Sequence, residues 1–260
     1  MKIGGNVECF DTEGYALARK AFPSSEIQAI HDELLRMGNT LDASGCFQDL
    51  DSLWNHHKQN DRNKASAIYN GFKYLASIQR LASSGAMHQH LRNLCGIQFP
   101  ALVDINCRID SQGEEKYLFG WHQDYWFSVC SPRAVVVWLP VTPLIPSTGG
   151  LQLIGNAHMG GRIFKTKPGG QYQSYADAVL LDEDLPPSPI ISINEMDQGD
   201  ALFFRFDVLH KSIPIQSEDR SRFTVQLRFA DYADTDFINA KYRPGTVNSQ
   251  VVDYINKENP

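Results

Sequence analysis

The 260-residue chain has no excess of positive charge, no cysteines at disulfide or zinc-site spacing, and no long apolar run, and each absence removes a class of function. With 24 Lys and Arg against 30 Asp and Glu, the formal net charge is -6, and the basic residues nowhere cluster into the positive face that a nucleic acid or an anionic membrane would need. The five cysteines, Cys9, Cys46, Cys95, Cys107 and Cys130, are odd in number and never spaced C-x-x-C, so reduced thiols are expected. No apolar stretch approaches the roughly 20 residues that span a bilayer. The start, Met1-Lys2-Ile3-Gly4-Gly5-Asn6-Val7-Glu8, lacks the apolar core of a secretory signal and carries an acid. A cytoplasmic protein with a small-molecule partner, and no nucleic-acid or membrane partner, is the expectation. Hydrophobic content of 42% with 21% charged residues is ordinary for a globular chain. One domain over 1–260 is expected, because β-barrels reach this length as single units.

The apolar period changes partway along the chain. Residues 10–38 read as a short extended piece and then a helix, in which Ser25 and Gln28 can form a capping box, Ile27, Ile30 and Leu34 make one stripe, and Gly38 supplies a stop. Residues 65–95 are again helical, first through Ile68, Phe72, Leu75 and Ile78, then through Met87, Leu91 and Leu94. Near residue 100 alternation takes over: Val103, Ile105, Cys107 and Ile109 intersperse with Asp104, Asn106, Arg108 and Asp110, a strand with one polar face. Further strands are expected over 134–141, 151–155, 190–193, 201–206 and 222–229, separated by turn-rich pieces such as Pro146-Ser147-Thr148-Gly149-Gly150 and Asp197-Gln198-Gly199-Asp200. This order predicts a mainly β fold with flanking helices: a mostly helical part over 1–98, a barrel over 99–232 and a tail over 233–260. Residues 159–189, rich in Gly, Pro and polar side chains, are too long for an ordinary connection and are the candidate lid.

Two distant segments carry the chemistry. In Gly120-Trp121-His122-Gln123-Asp124, an extended backbone puts His122 and Asp124 on one face, since strand side chains alternate. Downstream, Gly199-Asp200 opens a strongly apolar strand that ends at His210. Two imidazoles and a carboxylate with open positions opposite are the facial triad of non-heme Fe(II) oxygenases. His-x-Asp alone is a common pair, and His210 alone reads as a satisfied histidine at a strand end; the agreement of the parts singles out His122, Asp124 and His210 as metal ligands. In the last strand Arg222, Thr224, Gln226 and Arg228 share a face opposite Phe223, Val225, Leu227 and Phe229. A polar face inside a barrel needs a ligand or paired charges to offset desolvation. Arg222, whose planar fork can grip a carboxylate with two hydrogen bonds, is the candidate anchor, with Arg220 its competitor and a rim salt bridge the plainer reading. Candidate substrate contacts lie beside the metal motif: Tyr117 before it, and Tyr125, Trp126 and Phe127 after it, aromatics that serve equally well as core. Arg108, on the face of Asn106, suits an anionic or zwitterionic substrate, or a rim ion pair.

These residues resemble the phytanoyl-CoA dioxygenase family of iron- and 2-oxoglutarate-dependent oxygenases. The resemblance runs through Phe10-Asp11-Thr12-Glu13-Gly14-Tyr15, Trp121-His122-Gln123-Asp124, Val135-Val136-Val137-Trp138-Leu139, Gly149-Gly150-Leu151, Gly155-Asn156-Ala157-His158, and His210-Lys211-Ser212 up to the strand of Arg222. It implies a double-stranded β-helix, a jelly-roll barrel of the cupin kind. It also implies that His122, Asp124 and His210 hold Fe(II), and that Arg222 binds the distal carboxylate of 2-oxoglutarate with help from Ser212. Asn106 would stand near the other end of that cosubstrate, and Trp138 would line the site unless it belongs to the core. The arginine lies one residue further from the second histidine than the family pattern, which keeps Arg220 in play. Halogenating relatives carry a small residue where Asp124 stands, so oxygen insertion is expected rather than halogen transfer.

With O2 as the other cosubstrate, 2-oxoglutarate would yield succinate and CO2 while an unactivated C-H bond of a small metabolite is hydroxylated. Desaturation, ring formation and epimerisation need the same metal ligands and stay open. No basic cluster awaits the phosphates of a CoA thioester. Two other functions fit the residues less closely: a zinc-dependent hydrolase using the same His, Asp and His, and a noncatalytic barrel that senses or stores a ligand.

Overall fold

The computed structural model describes residues 7–42, 46–128, 130–156, 160–164, 180 and 182–244, with side chains from Phe10 onward. The chain opens with helix α1 (Val7–Glu13) and strand β1 (Tyr15–Ala18), followed by helices α2 (Ser24–Asn39), α3 (Leu50–Asn60), α4 (Arg62–Phe72), α5 (Ala76–Ala82) and α6 (Gly85–Cys95). In α2 the expected stripe of Ile27, Ile30 and Leu34 is buried, but the expected termini are corrected. The helix starts behind Pro23 with no side-chain cap, which puts Ser25 inside the first turn, and Gln28 bonds Asp32 instead. Gly38 lies within the helix, where its missing Cβ admits the Leu53 side chain of α3. The helical stretch expected over 65–95 is three helices, the last capped by Ser84 and ended by Gly96 at φ 73°. Helix α3 was not anticipated; Asp49 caps it by accepting from the Ser52 N–H at 2.8 Å.

The rest is β: β2 (Pro100–Asp110), β3 (Val135–Pro140), β4 (Leu151–Ile154), β5 (Ile190–Ile193), β6 (Ala201–Arg205), β7 (Leu209–Ser212) and β8 (Arg222–Asp231), then α7 (Thr235–Asn239). One antiparallel sheet has the order β1-β6-β3-β8-β2 and the other β5-β4-β7. Strand β1, from the part expected to be mostly helical, closes an edge of the larger sheet by pairing Tyr15 with Phe204. On one face of that sheet Ile109, Val137, Phe203, Val225 and Leu227 pack against Ile27, Ile30, Leu34 and Leu91 of the helices. On its other face Val136, Trp138, Leu202 and Phe204 meet Leu151, Leu153 and Ile193 of the smaller sheet. Alternation along each strand thus sorts side chains into a helix-covered layer and an inter-sheet layer, the arrangement of a double-stranded β-helix. The polar residues on the inner face are what make room for a site.

Within the smaller sheet, close approach of β5 to the start of β4 depends on one glycine. A Cβ at Gly150 would strike the backbone carbonyl of Ile193 on the neighbouring strand, which cannot swing aside as a side chain would. Gly150→Ala is therefore expected to lower stability by about 1–3 kcal/mol in urea denaturation, and an unchanged midpoint would contradict this packing. Of the candidate lid, residues 159, 165–179 and 181 lie outside the described residues, as do residues 157 and 158 before it and the tail beyond 244. Among the described residues, no helix is long and apolar enough to cross a membrane.

Candidate metal centre

Backbone pairing brings the two histidines together. His122 and His210 exchange N–H···O bonds of 3.0 Å in both directions, and as a directly paired couple their rings lie 4.1 Å apart between centroids. Beyond His122 the backbone is not the expected strand: Trp121 and His122 form isolated bridges with Leu180 and His210, and Asp124–Trp126 is a 3-10 turn. Asp124 still joins the pair, with Oδ1 3.8 Å from His122 Nε2, and one ligand atom from each of His122, Asp124 and His210 lies within 4.8 Å of the others. All three side chains are buried.

The protonation states suit a cation. His122 Nδ1 faces the Gly120 carbonyl at 2.7 Å, and His210 Nδ1 faces the Val208 carbonyl at 3.0 Å. A ring nitrogen against a carbonyl must donate, so Nδ1 holds the proton and Nε2 presents its lone pair. Burial pushes the His122 imidazole down to about 3, with His210 adding to the effect and Asp124 opposing it, and burial lowers His210 as well. Burial would raise Asp124, but the charges of Arg228, His210 and His122 outweigh it and hold the carboxyl at about 2. Two neutral imidazoles and one ionised carboxylate are the donor set of a divalent transition metal, so the residues fit the ion.

A cavity of about 160 Å³ adjoins these ligands, and Asn106, Arg108, Phe127, Trp138 and Ser212 of the expected site line it. Four expected contacts do not. The 3-10 turn rotates successive side chains by about a third of a revolution where a strand would alternate them. Tyr125 therefore packs in the inter-sheet core, while Trp126 donates Nε1–H to the Phe164 carbonyl at 3.0 Å. Tyr117 lines a separate cavity of about 290 Å³ between α4 and β2, which shares only Arg108 with the first. Arg222 is buried beneath the site: Nη2 donates to Asp110 Oδ2 at 3.0 Å, and Nη1 donates to the carbonyls of Ile213 at 2.9 Å and Gly150 at 3.1 Å. Its ion pair is internal, not at the rim. Arg220 is 45% exposed and turns to Asp51 at 3.8 Å, away from the cavity.

Three residues of the site were not singled out from the sequence. Arg228 holds Asp124 with Nη2 3.3 Å from Oδ1 and reaches Asp104 at 2.9 Å with Nη1. Its place on the polar face of the last strand was the available signal. Asp110 bridges Arg222 and Arg108, the latter at 2.5 Å. Gln123, fully buried between two candidate ligands, donates to the carbonyls of Asp207 at 2.6 Å and Arg162 at 2.8 Å, and accepts from Phe164 N–H at 2.8 Å. It ties the ligand turn to residues 162–164.

A jelly-roll fold around a buried His, Asp and His set defines the class of non-heme iron enzymes that use 2-oxoglutarate. The chain belongs to the phytanoyl-CoA dioxygenase (PhyH) family, matched over residues 10–224. Among solved structures it is similar to the epimerase SnoN in complex with Fe3+, alpha ketoglutarate and nogalamycin RO, with 14% identity and a TM-score of 0.57 over 86% of this chain and 82% of that one. It is also similar to HygX from Streptomyces hygroscopicus with nickel and 2-oxoglutarate bound, at 13% identity, TM-score 0.55 and coverages of 88% and 87%. The carbocyclase SnoK from nogalamycin biosynthesis gives 13% identity and a TM-score of 0.56 over 92% and 90%. At these identities the likeness is one of fold. No curated protein matches the chain. Family membership makes the chain a non-heme Fe(II)/2-oxoglutarate-dependent enzyme with O2 as the second cosubstrate, and the zinc-hydrolase and ligand-storage readings give way to it.

Proposed function

We propose that the chain, acting as a single domain, hydroxylates an unactivated C-H bond of a small polar metabolite while 2-oxoglutarate is converted to succinate and CO2. The observation that carries this reading is the convergence of His122, Asp124 and His210 on one cavity with Asn106, Trp138 and Ser212. His122 and His210 through Nε2, with the Asp124 carboxylate, would hold Fe(II). Bound iron supplies O2 activation, with 2-oxoglutarate as the source of electrons. The carbonyls of Gly120 and Val208 fix the imidazole tautomers, and Arg228 keeps Asp124 ionised and oriented. Phe119 and Phe127 stand 5.1 and 5.5 Å from the His122 ring between centroids and keep water from that side.

For the cosubstrate carboxylate we assign Arg222 and Ser212. Arg108, Asp110 and Arg222 carry two positive charges and one negative, so the trio can accept one more carboxylate; Arg108 carries it to the cavity wall, which Ser212 also lines. Ser212→Ala is expected to raise the KM for 2-oxoglutarate about 3- to 10-fold with kcat nearly unchanged, the loss of one hydrogen bond made equally before and during reaction. A steady-state 2-oxoglutarate titration checks this; an unchanged KM would remove Ser212 from the anchor.

The substrate reading rests on Arg108, which lines both the metal cavity and the larger one. Arg62 and Arg108 face Asp110 and Glu114 there, beside Trp54, Tyr69 and Tyr117, a balanced charge set suited to a small zwitterion more than to a polyanion. Protein incubated with Fe(II), ascorbate, O2 and 2-oxoglutarate should form succinate slowly, and a screen of small polar metabolites should find one that accelerates it. Absence of both succinate and cosubstrate binding would overturn the reading. Analysis of the stimulated product then separates hydroxylation from desaturation, cyclisation or epimerisation.

A further inference from the structure

A second group of metal-ligating side chains lies on the helical side of the molecule, built around an imidazole with nothing to bond. His57, near the end of α3, is fully buried, and among the described residues neither of its ring nitrogens has a hydrogen-bond partner. Folded proteins rarely leave buried polar atoms unpaired, and such an atom calls for an unseen partner. His56 and Asp42 stand beside it. One ligand atom from each of the three lies within 4.8 Å of the others, with His56 Nε2 3.9 Å from Asp42 Oδ2.

The surroundings hold this group in shape without relying on the donors. His56 and His57 are consecutive on α3, their rings crossed at 82° with centroids 5.1 Å apart. Phe47 packs against both, at 5.1 and 5.7 Å. The Asn39 side chain fixes Phe47 in turn, accepting from its N–H and donating to its carbonyl, both at 3.0 Å. Ordinary packing thus presents two imidazoles and a carboxylate toward one point, between the end of α2 and the face of α3.

We propose that Asp42, His56 and His57 form a second divalent-metal site, separate from the triad, which takes a zinc-class ion and fastens the connection after α2 onto helix α3. Two nitrogens and one oxygen match the ligand preferences of Zn(II), with a fourth position left for water. Donors of a tetrahedral zinc ion lie roughly 3.4 Å apart, so binding draws these three together by at most about 1.4 Å from separations within 4.8 Å. Burial pushes the His57 imidazole below its ordinary value, against the opposing charges of Asp42 and Asp61. The competitor is Lys64, whose Nζ lies 3.8 Å from Asp42 Oδ2 and whose side chain is 35% exposed, free to turn to solvent when an ion arrives. This inference stands independently of the proposed reaction.

The test is a Zn(II) titration of the full metal-free chain against a chromophoric chelator. Wild type should bind two equivalents, and Asp42→Asn and His56→Ala should each bind one. Both changes leave buried His57 in place, so they report on binding in a folded chain. Lys64→Met should tighten the second equivalent several-fold, a gain that a purely structural role for these side chains would not produce. A single equivalent in wild type, or two equivalents retained in both variants, would overturn the site.

Discussion

Asp124→Ala is expected to abolish 2-oxoglutarate turnover, by more than about 100-fold, while the chain stays folded. Groups that merely orient metal ligands already cost about 10- to 100-fold when removed, and Asp124 is assigned here as a ligand itself. Among the described residues its charged neighbours in direct contact are His122, His210 and Arg228, two donors already in use and one cation. The structural penalty is smaller, because Arg228 keeps Asp104 at 2.9 Å and Gln226 at 3.2 Å when Asp124 is gone. A stability loss of about 1–3 kcal/mol is expected for one charged hydrogen-bonding partner. Succinate assays paired with circular dichroism separate the two effects, and a folded Asp124→Ala with activity within tenfold of wild type would remove Asp124 from the metal.

The largest stability change is expected at Asp110. Its carboxylate is the common partner of Arg108 and Arg222, and the three side chains are 4%, 9% and 2% exposed in that order. Asp110→Ala leaves two buried guanidinium groups without their counter-ion, and breaking a buried ion pair costs about 3–5 kcal/mol. The pH dependence has a definite sign. Burial alone would raise the Asp110 carboxyl, but the charges of Arg108 and Arg222 hold it below its ordinary 3.8. A carboxyl depressed in the folded state contributes stability that is present in full above 3.8 and is lost as pH falls through the lower folded-state value. Wild type should therefore weaken steeply on acidification, and Asp110→Asn, already weaker at neutral pH, should show a shallower acid limb. Urea denaturation across acid pH checks both, and an Asp110→Ala within 1 kcal/mol of wild type, a margin set at the scale of one neutral hydrogen bond, would contradict the trio.

The strands and the histidine pair were legible because their signals are local. Period-two alternation marks β2 and β8, and His122 stands in a recognisable run, whereas His210, expected to end the apolar strand, lies inside β7 of the other sheet because β6 already stops at Arg205. What was not legible depends on register. Asp110 meets Arg222 only because β2 and β8 pair in a frame shifted by an irregularity between Leu102 and Asp104, and no short window of sequence announces that shift. The same frame leaves Arg228 to reach Asp124 instead of pairing only at the rim. Likewise the aromatic wall expected at Tyr125 and Trp126 assumed a strand where the backbone coils into a 3-10 turn, which aims those side chains elsewhere. Ser25 and Gln28 matched a capping pattern but sit two residues too deep in α2, since Pro23 ends the preceding extended piece earlier than the pattern implied.

The central claim is that His122, Asp124 and His210 hold an iron that also takes 2-oxoglutarate. An anoxic titration with Fe(II) and 2-oxoglutarate, followed by visible charge-transfer absorption, tests it without any knowledge of the substrate. The prediction is an absorption that grows to one Fe(II) and one 2-oxoglutarate per chain in wild type and is lost in His210→Ala. No absorption in wild type, or the same absorption in the variant, would contradict the account.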